Sequence, residues 1–212
     1  MNKFILSTLV LSAVAVDGAR IFPNSYKLKI NMITMTDDNN HQNVSIQRIL
    51  VFIQEIFNRS VLCHVNNPNV SKITKIAKDS RVILLPEEPY DQIIAMILFH
   101  KLHSIVEENF EIDTLIISSD ISPNLQYTIE EFEYFEYEDK KIELPWWQRP
   151  DPSTTDNPKL FKKSARWSDM NLSWNKNDQE SIDLIFHPEY DNTEQDIVVL
   201  DGGGSNEKNT NV

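Results

Sequence analysis

The chain has 212 residues, 41% of them hydrophobic, and only four glycines, three in the run Gly202-Gly203-Gly204. A glycine-rich phosphate loop inside the core is therefore excluded, and with it the dinucleotide and P-loop fingerprints. The single cysteine, Cys63, excludes an intrachain disulfide and a cysteine-rich zinc site. The net charge of −12 is local: residues 87–143 hold fifteen Asp and Glu against three Lys, and the remainder balances at seventeen against seventeen. Such a face repels nucleic-acid phosphates, is open to a basic partner or cations, and otherwise serves as a solvated, solubilising surface.

The first twenty residues, MNKFILSTLVLSAVAVDGAR, have the charge and apolar pattern of a secretory leader, with Lys3 ahead of Phe4–Val16 and the small-x-small step Ala13-Val14-Ala15. The same pattern fits an extra strand, so residues 1–24 read as an apolar extension that is either leader-like or a strand. Asn43, Asn58, Asn69 and Asn171 open glycosylation sequons, which act only in a eukaryotic secretory setting. The absence of a disulfide framework weakens secretion.

From residue 25 to 144 the pattern predicts an α+β core. YKLKINMITM (26–35) alternates as a strand, and 44–59 carries a helical stripe of Ile46, Ile49, Leu50, Ile53, Ile56 and Phe57. SVLCHV is a short strand, VSKITKIAKDS a short helix, and RVILLP a continuous apolar strand, the kind buried on both faces or lying centrally in a sheet. A helix over 89–109 and a strand over 112–121 complete a βαββαβ order with one short helix inserted. That order predicts a ferredoxin-like sandwich, with a three-layer α/β arrangement as the alternative.

The stretch LPEEPYD brings Glu87, Glu88 and Asp91 to the start of the 89–109 helix. Pro89 suits the first helical turn and the carboxylates suit the helix dipole, so backbone physics suffices to explain them. His100, His103 and Glu107 lie near one helix face and are weak metal-ligand candidates: no HExxH motif is present, and the histidines border the core stripe. Cys63 reads as a small buried hydrophobe. No catalytic residue, metal or cofactor is assigned.

Beyond residue 144 the chain reads as an extended Trp/Pro-rich arm with short strands (145–200) and a disordered tail (201–212). The acidic-aromatic run with Glu131, Phe132, Tyr134, Phe135 and Tyr137, and the four tryptophans Trp146, Trp147, Trp167 and Trp174, are the partner-binding candidates. The tryptophans can equally dock on the chain's own core.

LPEEPYDQ, the KLH segment, the strand IISS, WWQRP and WSDMNLSW together resemble a family of small acidic proteins of marine contractile-tailed phages. The resemblance spans about residues 26–175. It departs at His103, where the family pattern has Asn, and in residues 1–24. It implies a viral protein of the host cytoplasm or virion and carries no catalytic residues. The resulting expectation is a non-enzymatic phage accessory protein. It would bind a host or phage protein and possess no direct contact with nucleic acid or membrane, and it leaves room for a homo-oligomer. The alternatives are a metal-dependent hydrolase using His100 and His103, and a secreted glycoprotein.

Overall fold

The computed structural model describes residues 2–77, 80–106, 108–130, 144–156, 166–167 and 198–201. Its framework is a long N-terminal hairpin. Strand β1 (Lys3–Asp17) returns as β2 (Arg20–Thr34) through a two-residue loop, Gly18-Ala19. Gly18 has φ +57, in the left-handed region that tight hairpin loops need and that glycine enters without a side-chain clash. Alternation decides the faces: Leu9, Leu11, Ala13 and Ala15 on β1, and Asn24, Tyr26, Leu28, Ile30 and Met32 on β2, are buried.

Helix α1 (Asn39–Val51) follows. The Asp38 side chain caps it, accepting from the backbone N–H groups of Asn40 at 2.9 Å and His41 at 3.3 Å. The helix widens into a π-helical stretch, Phe52–Phe57, whose Phe52, Ile53, Ile56 and Phe57 are all buried. Arg59, with φ 60, then turns the chain into β3 (Ser60–His64). Next come α2 (Val70–Ile76), β4 (Val82–Leu85), α3 (Asp91–Val106), β5 (Phe110–Ser119) and β6 (Gln126–Ile129). A single 3₁₀ turn occupies Trp146–Gln148, and β7 (Val198–Asp201) closes the described chain.

Seven strands form one sheet in the order β4-β3-β1-β2-β5-β6, with β7 also paired to β1. β2, β5 and β6 run antiparallel in succession, whereas β3 and β7 lie parallel to β1 and β4 lies parallel to β3. Residues 4–7 of β1 pair with β7 and residues 13–16 pair with β3, so these two strands share one edge of β1. Helices α1 and α3 fill the main core against one sheet face. A smaller cluster of Val16, Cys63 and Leu84, with Val70 and Ile73 of α2, covers the other face near β3 and β4.

This is an α+β fold, as the sequence predicts, but its order is ββαβαβαβββ among the described residues rather than βαββαβ. The cause lies in residues 3–17. An apolar run that matches a leader is a strand at the middle of the sheet, and the expected boundary at residue 24/25 falls inside β2. A second correction concerns β4. Its unbroken apolar run is buried on both faces, with Ile83 and Leu85 in the main core and Leu84 in the smaller cluster, but the strand is not central: it lies at the sheet edge.

That edge is covered by residues 144–156, a strap across β4 and α3. The Leu84 N–H donates to the Thr154 carbonyl at 3.3 Å, and the Trp146 indole N–H donates to the Leu84 carbonyl at 2.8 Å. Both polar groups of an edge residue are thereby satisfied, which removes a template for strand addition. The strap also buries the outer side of α3, so Phe99, His100 and Lys101 are buried along with the inner stripe of Ile94, Ile97, Leu98, Leu102 and Ile105. The start of the expected extended arm is thus a packed part of the core.

Candidate functional site

At the carboxyl ends of β3 and β4 the chain leaves the sheet and crosses to α3. His64 is the last residue of β3 and shares the main-core face with Leu62, while Val61 and Cys63 face the smaller cluster. Loop 86–90 carries Glu88 back over it. His64 Nδ1 lies 3.5 Å from Glu88 Oε1, and both side chains are about three-quarters buried, at 24% and 28% exposure. The second oxygen, Glu88 Oε2, is buried and makes no hydrogen bond among the described residues. A buried carboxylate oxygen without a donor is costly, and such exceptions concentrate where chemistry or binding occurs.

Three residues further on, Asp91 opens α3 and accepts a hydrogen bond from the Ser119 hydroxyl at 2.6 Å. Ser119 pairs in register with Tyr26 across β2 and β5. The Tyr26 hydroxyl is buried and engaged by the Asn24 side chain. Burial pushes its pKa up to about 12; the nearby Asn24 amide pulls the other way, and the Asp91 carboxylate adds to the rise. Asn24 Oδ1 meanwhile accepts from the Ile121 N–H at 3.3 Å, tying the β5–β6 loop to β2. One end of the sheet therefore carries two carboxylate pairs, Glu88 with His64 and Asp91 with Ser119. The sequence reading gave those carboxylates a backbone role only. Their partners lie 24 residues before Glu88 and 28 after Asp91, a separation that local pattern does not bridge.

Cys63 is fully buried, and its thiol is pushed up to about 11, by burial first and by Glu88 second. A thiol this resistant to ionisation is a poor nucleophile. Iodoacetamide at pH 8 is expected to label Cys63 only along the urea unfolding transition. Rapid labelling of the folded chain, measured by mass spectrometry, would contradict this burial.

The expected site residues are distributed differently. His100 is buried at 3% exposure, which corrects its placement at the border or outer side of α3. His103 is half-buried, its ring 6.3 Å from that of Phe99, and burial lowers its pKa, opposed by Glu111 and assisted by His100. No group of three His, Cys, Asp or Glu suited to a metal exists among the described residues. Glu107, the run Glu131, Phe132, Tyr134, Phe135 and Tyr137, and Trp174 lie outside the described residues. Trp146 and Trp147 are buried, at 1% and 3% exposure, and stack edge to face at 5.7 Å, so neither offers a surface to a partner. Trp167 packs against the core, donates to the Pro150 carbonyl at 2.6 Å and lies under the Arg48 guanidinium at 5.8 Å.

The residue that sequence reading missed outright is Lys101. Its side chain is wholly buried, and Nζ donates to the carbonyls of Trp146 at 2.9 Å, Arg149 at 2.8 Å and Asp151 at 2.5 Å. The Asp151 carboxylate lies 3.8 Å away, and the rings of Phe52 and Trp146 stand at 5.5 and 5.7 Å. Burial drives the ammonium down to about 7, while Asp151 holds it up. Three carbonyl acceptors require three N–H donors, which only the charged ammonium has. Lys101 is a clamp on the strap, and with every donor engaged and no exposed surface it has no means of reaching a substrate.

No protein-family model matches the chain, and no curated protein matches it. Among solved structures it is similar to 6-pyruvoyl tetrahydropterin synthase from Plasmodium vivax, with 8% identity over 61% of this chain and 96% of that one, at a TM-score of 0.37. A catalytic-residue mutant of the same enzyme matches with 11% identity, the same coverage and a TM-score of 0.38. Both of these neighbours are an enzyme, against the expectation of a non-enzymatic phage accessory protein. Similarity this remote gives the chain no activity, substrate or residue role of its own. No helix among the described residues is long and apolar enough to cross a membrane.

Proposed function

We propose that this protein is an enzyme that moves protons on a small polar substrate, with His64 as the acid–base group and Glu88 as the residue that positions it. The observation carrying this reading is the 3.5 Å approach of His64 Nδ1 to Glu88 Oε1 in a partly buried setting at the mouth of the sheet. A carboxylate on Nδ1 holds the proton there and leaves Nε2 as the working atom. At this end of the sheet the described residues offer no free nucleophile: Cys63 faces the other side of β3, and the Ser119 hydroxyl is engaged by Asp91.

Two measurements test it. Long-range proton–nitrogen spectra, assigned with His64→Gln, are expected to show the proton on Nδ1 and to lose that preference in Glu88→Gln. Deuterium incorporation into hydroxyacetone and aminoacetone from heavy water is expected to fall about a hundredfold or more in His64→Gln. A proton held on Nε2 in both the parent and Glu88→Gln, or exchange indifferent to His64, would sink the proposal.

A further inference from the structure

We infer that the sheet face turned away from α1 and α3 docks the protein on the surface of an anionic lipid bilayer. Helix α2 covers that face only where Val70 and Ile73 meet Val16, Cys63 and Leu84. Over β1, β2, β5 and β6 no helix lies on it among the described residues. Alternation puts Lys27 and Lys29 there, between the buried Tyr26, Leu28 and Ile30. Lys3, paired with Ile33 and next to the core-packed Phe4, faces the same way. Arg59 joins them at the head of β3, its N–H bonded to the Ser12 carbonyl. Lys72 and Lys75 stand on the outer side of α2, opposite Val70 and Ile73.

All six cations are exposed. Against them, among the described residues, are Glu111, Asp113 in the bulge of β5, and Glu130 just past β6. A chain of net charge −12 thus carries one net positive side. Runs of charge along the sequence do not disclose it, because the six cations come from four separate segments. Such a side attracts an anionic surface, against the sequence expectation of no membrane contact.

The apolar groups on this side decide what kind of anion fits. Ile76 and Ile21, at 81% and 69%, are the most exposed large apolar side chains among the described residues, and Val10 and Val65 are about half exposed. They stand singly, at the end of α2, at the hairpin tip, in the middle of β1 directly opposite Lys27, and just past β3. Aliphatic tips scattered among cations build no pocket for a shaped partner. Each can sink between lipid headgroups, while the lysine stems lie along the interface with their ammonium groups at the phosphates. The described strands turn no aromatic ring to this side, so the stacking that single-stranded nucleic acid requires is missing. A second copy would bring the same positive face and be repelled.

The test uses the full chain and co-sedimentation with sucrose-loaded vesicles. Vesicles of mixed phosphatidylserine and phosphatidylcholine are expected to carry the protein down, and vesicles of phosphatidylcholine alone are not. Added salt should release it, because the attraction is screened. Lys27→Gln with Lys29→Gln should weaken binding about tenfold to thirtyfold, the share of two cations at an anionic surface. Lys72→Gln with Lys75→Gln should do the same. Ile21→Ser with Ile76→Ser should weaken binding and keep the preference for phosphatidylserine. Arg166→Gln, beside the core-packed Trp167 on the helix side, should change nothing. Circular dichroism confirms that each variant is folded. The inference is overturned if neither vesicle carries the protein down, if phosphatidylcholine alone binds it as well as the mixture, or if both lysine pairs can be neutralised without loss. Binding of polyglutamate or duplex DNA without binding of either vesicle would also overturn it, and would assign the face to an acidic polypeptide or a nucleic acid.

Discussion

Lys101→Met is expected to lower unfolding stability by about 3–5 kcal/mol, the usual range when one partner of a buried charge pair is removed. Methionine keeps most of the stem volume, so the loss arises from the head. The carbonyls of Trp146, Arg149 and Asp151 would remain buried against Phe52 and Trp146 with no donor. Each such orphan costs roughly 1–3 kcal/mol, and release of the strap to water limits the total. The variant should therefore show a lower urea midpoint and red-shifted tryptophan emission below that midpoint, as the strap carrying Trp146 and Trp147 opens first. Asp151→Asn should cost about 1 kcal/mol, because its backbone carbonyl, the closer contact, is retained. A Lys101→Met variant within about 1 kcal/mol of the parent would show that the clamp does not hold the strap.

Alkaline stability provides the second large effect. Tyr26 keeps its proton in the fold up to about 12, whereas an exposed tyrosine ionises near 10. A raised folded pKa means the unfolded chain releases the proton first. The contribution is complete below about pH 10 and is lost as pH climbs to about 12. Two units amount to about 3 kcal/mol. Tyr26→Phe removes a buried hydroxyl and its one hydrogen bond with Asn24, so near pH 7 its cost should be about 1 kcal/mol. Between pH 10 and 12 the parent should lose about 3 kcal/mol more than the variant, measured by urea unfolding at each pH. Parallel pH profiles would show that Tyr26 ionises as an exposed phenol does.

How far the sequence led depended on the distance over which each feature is encoded. Elements with their own periodicity were placed within a few residues: the Ile46–Phe57 stripe, the strand around Leu62, the helix through Leu98, and the strand ending near Ser119. Strand β1 was ambiguous because a leader and a buried strand both require an unbroken apolar run, and only its partners separate them. β4 was misplaced for a related reason. Its second face is buried by Val70 and Ile73 of α2, and its open edge is closed by residues some sixty to seventy positions later, so an edge strand is as apolar as a central one. His100 on α3 was misjudged through the same strap, which buries it, whereas His103 is half-buried as its border position suggests. Lys101 could not be found from pattern, because an exposed and a clamped lysine are spelled alike. Within LPEEPYD the carboxylates were noticed and given a sound local explanation, yet His64 and Ser119, which engage two of them, lie in other strands.

The position of β1 also bears on how the chain is made. Of the described strands it is the first to be made, and its three partners arrive at very different times: β2 at once, β3 by residue 64, and β7 only near residue 201. At roughly 5–20 residues per second, the part of β1 that awaits β7 stays open for on the order of ten seconds after β3 has docked. During that interval the nascent sheet offers Phe4–Ser7 as a bare strand edge to neighbouring chains on the same message. Translation speed and chaperone supply, rather than the equilibrium stability of the finished fold, would then set how much soluble protein a cell obtains.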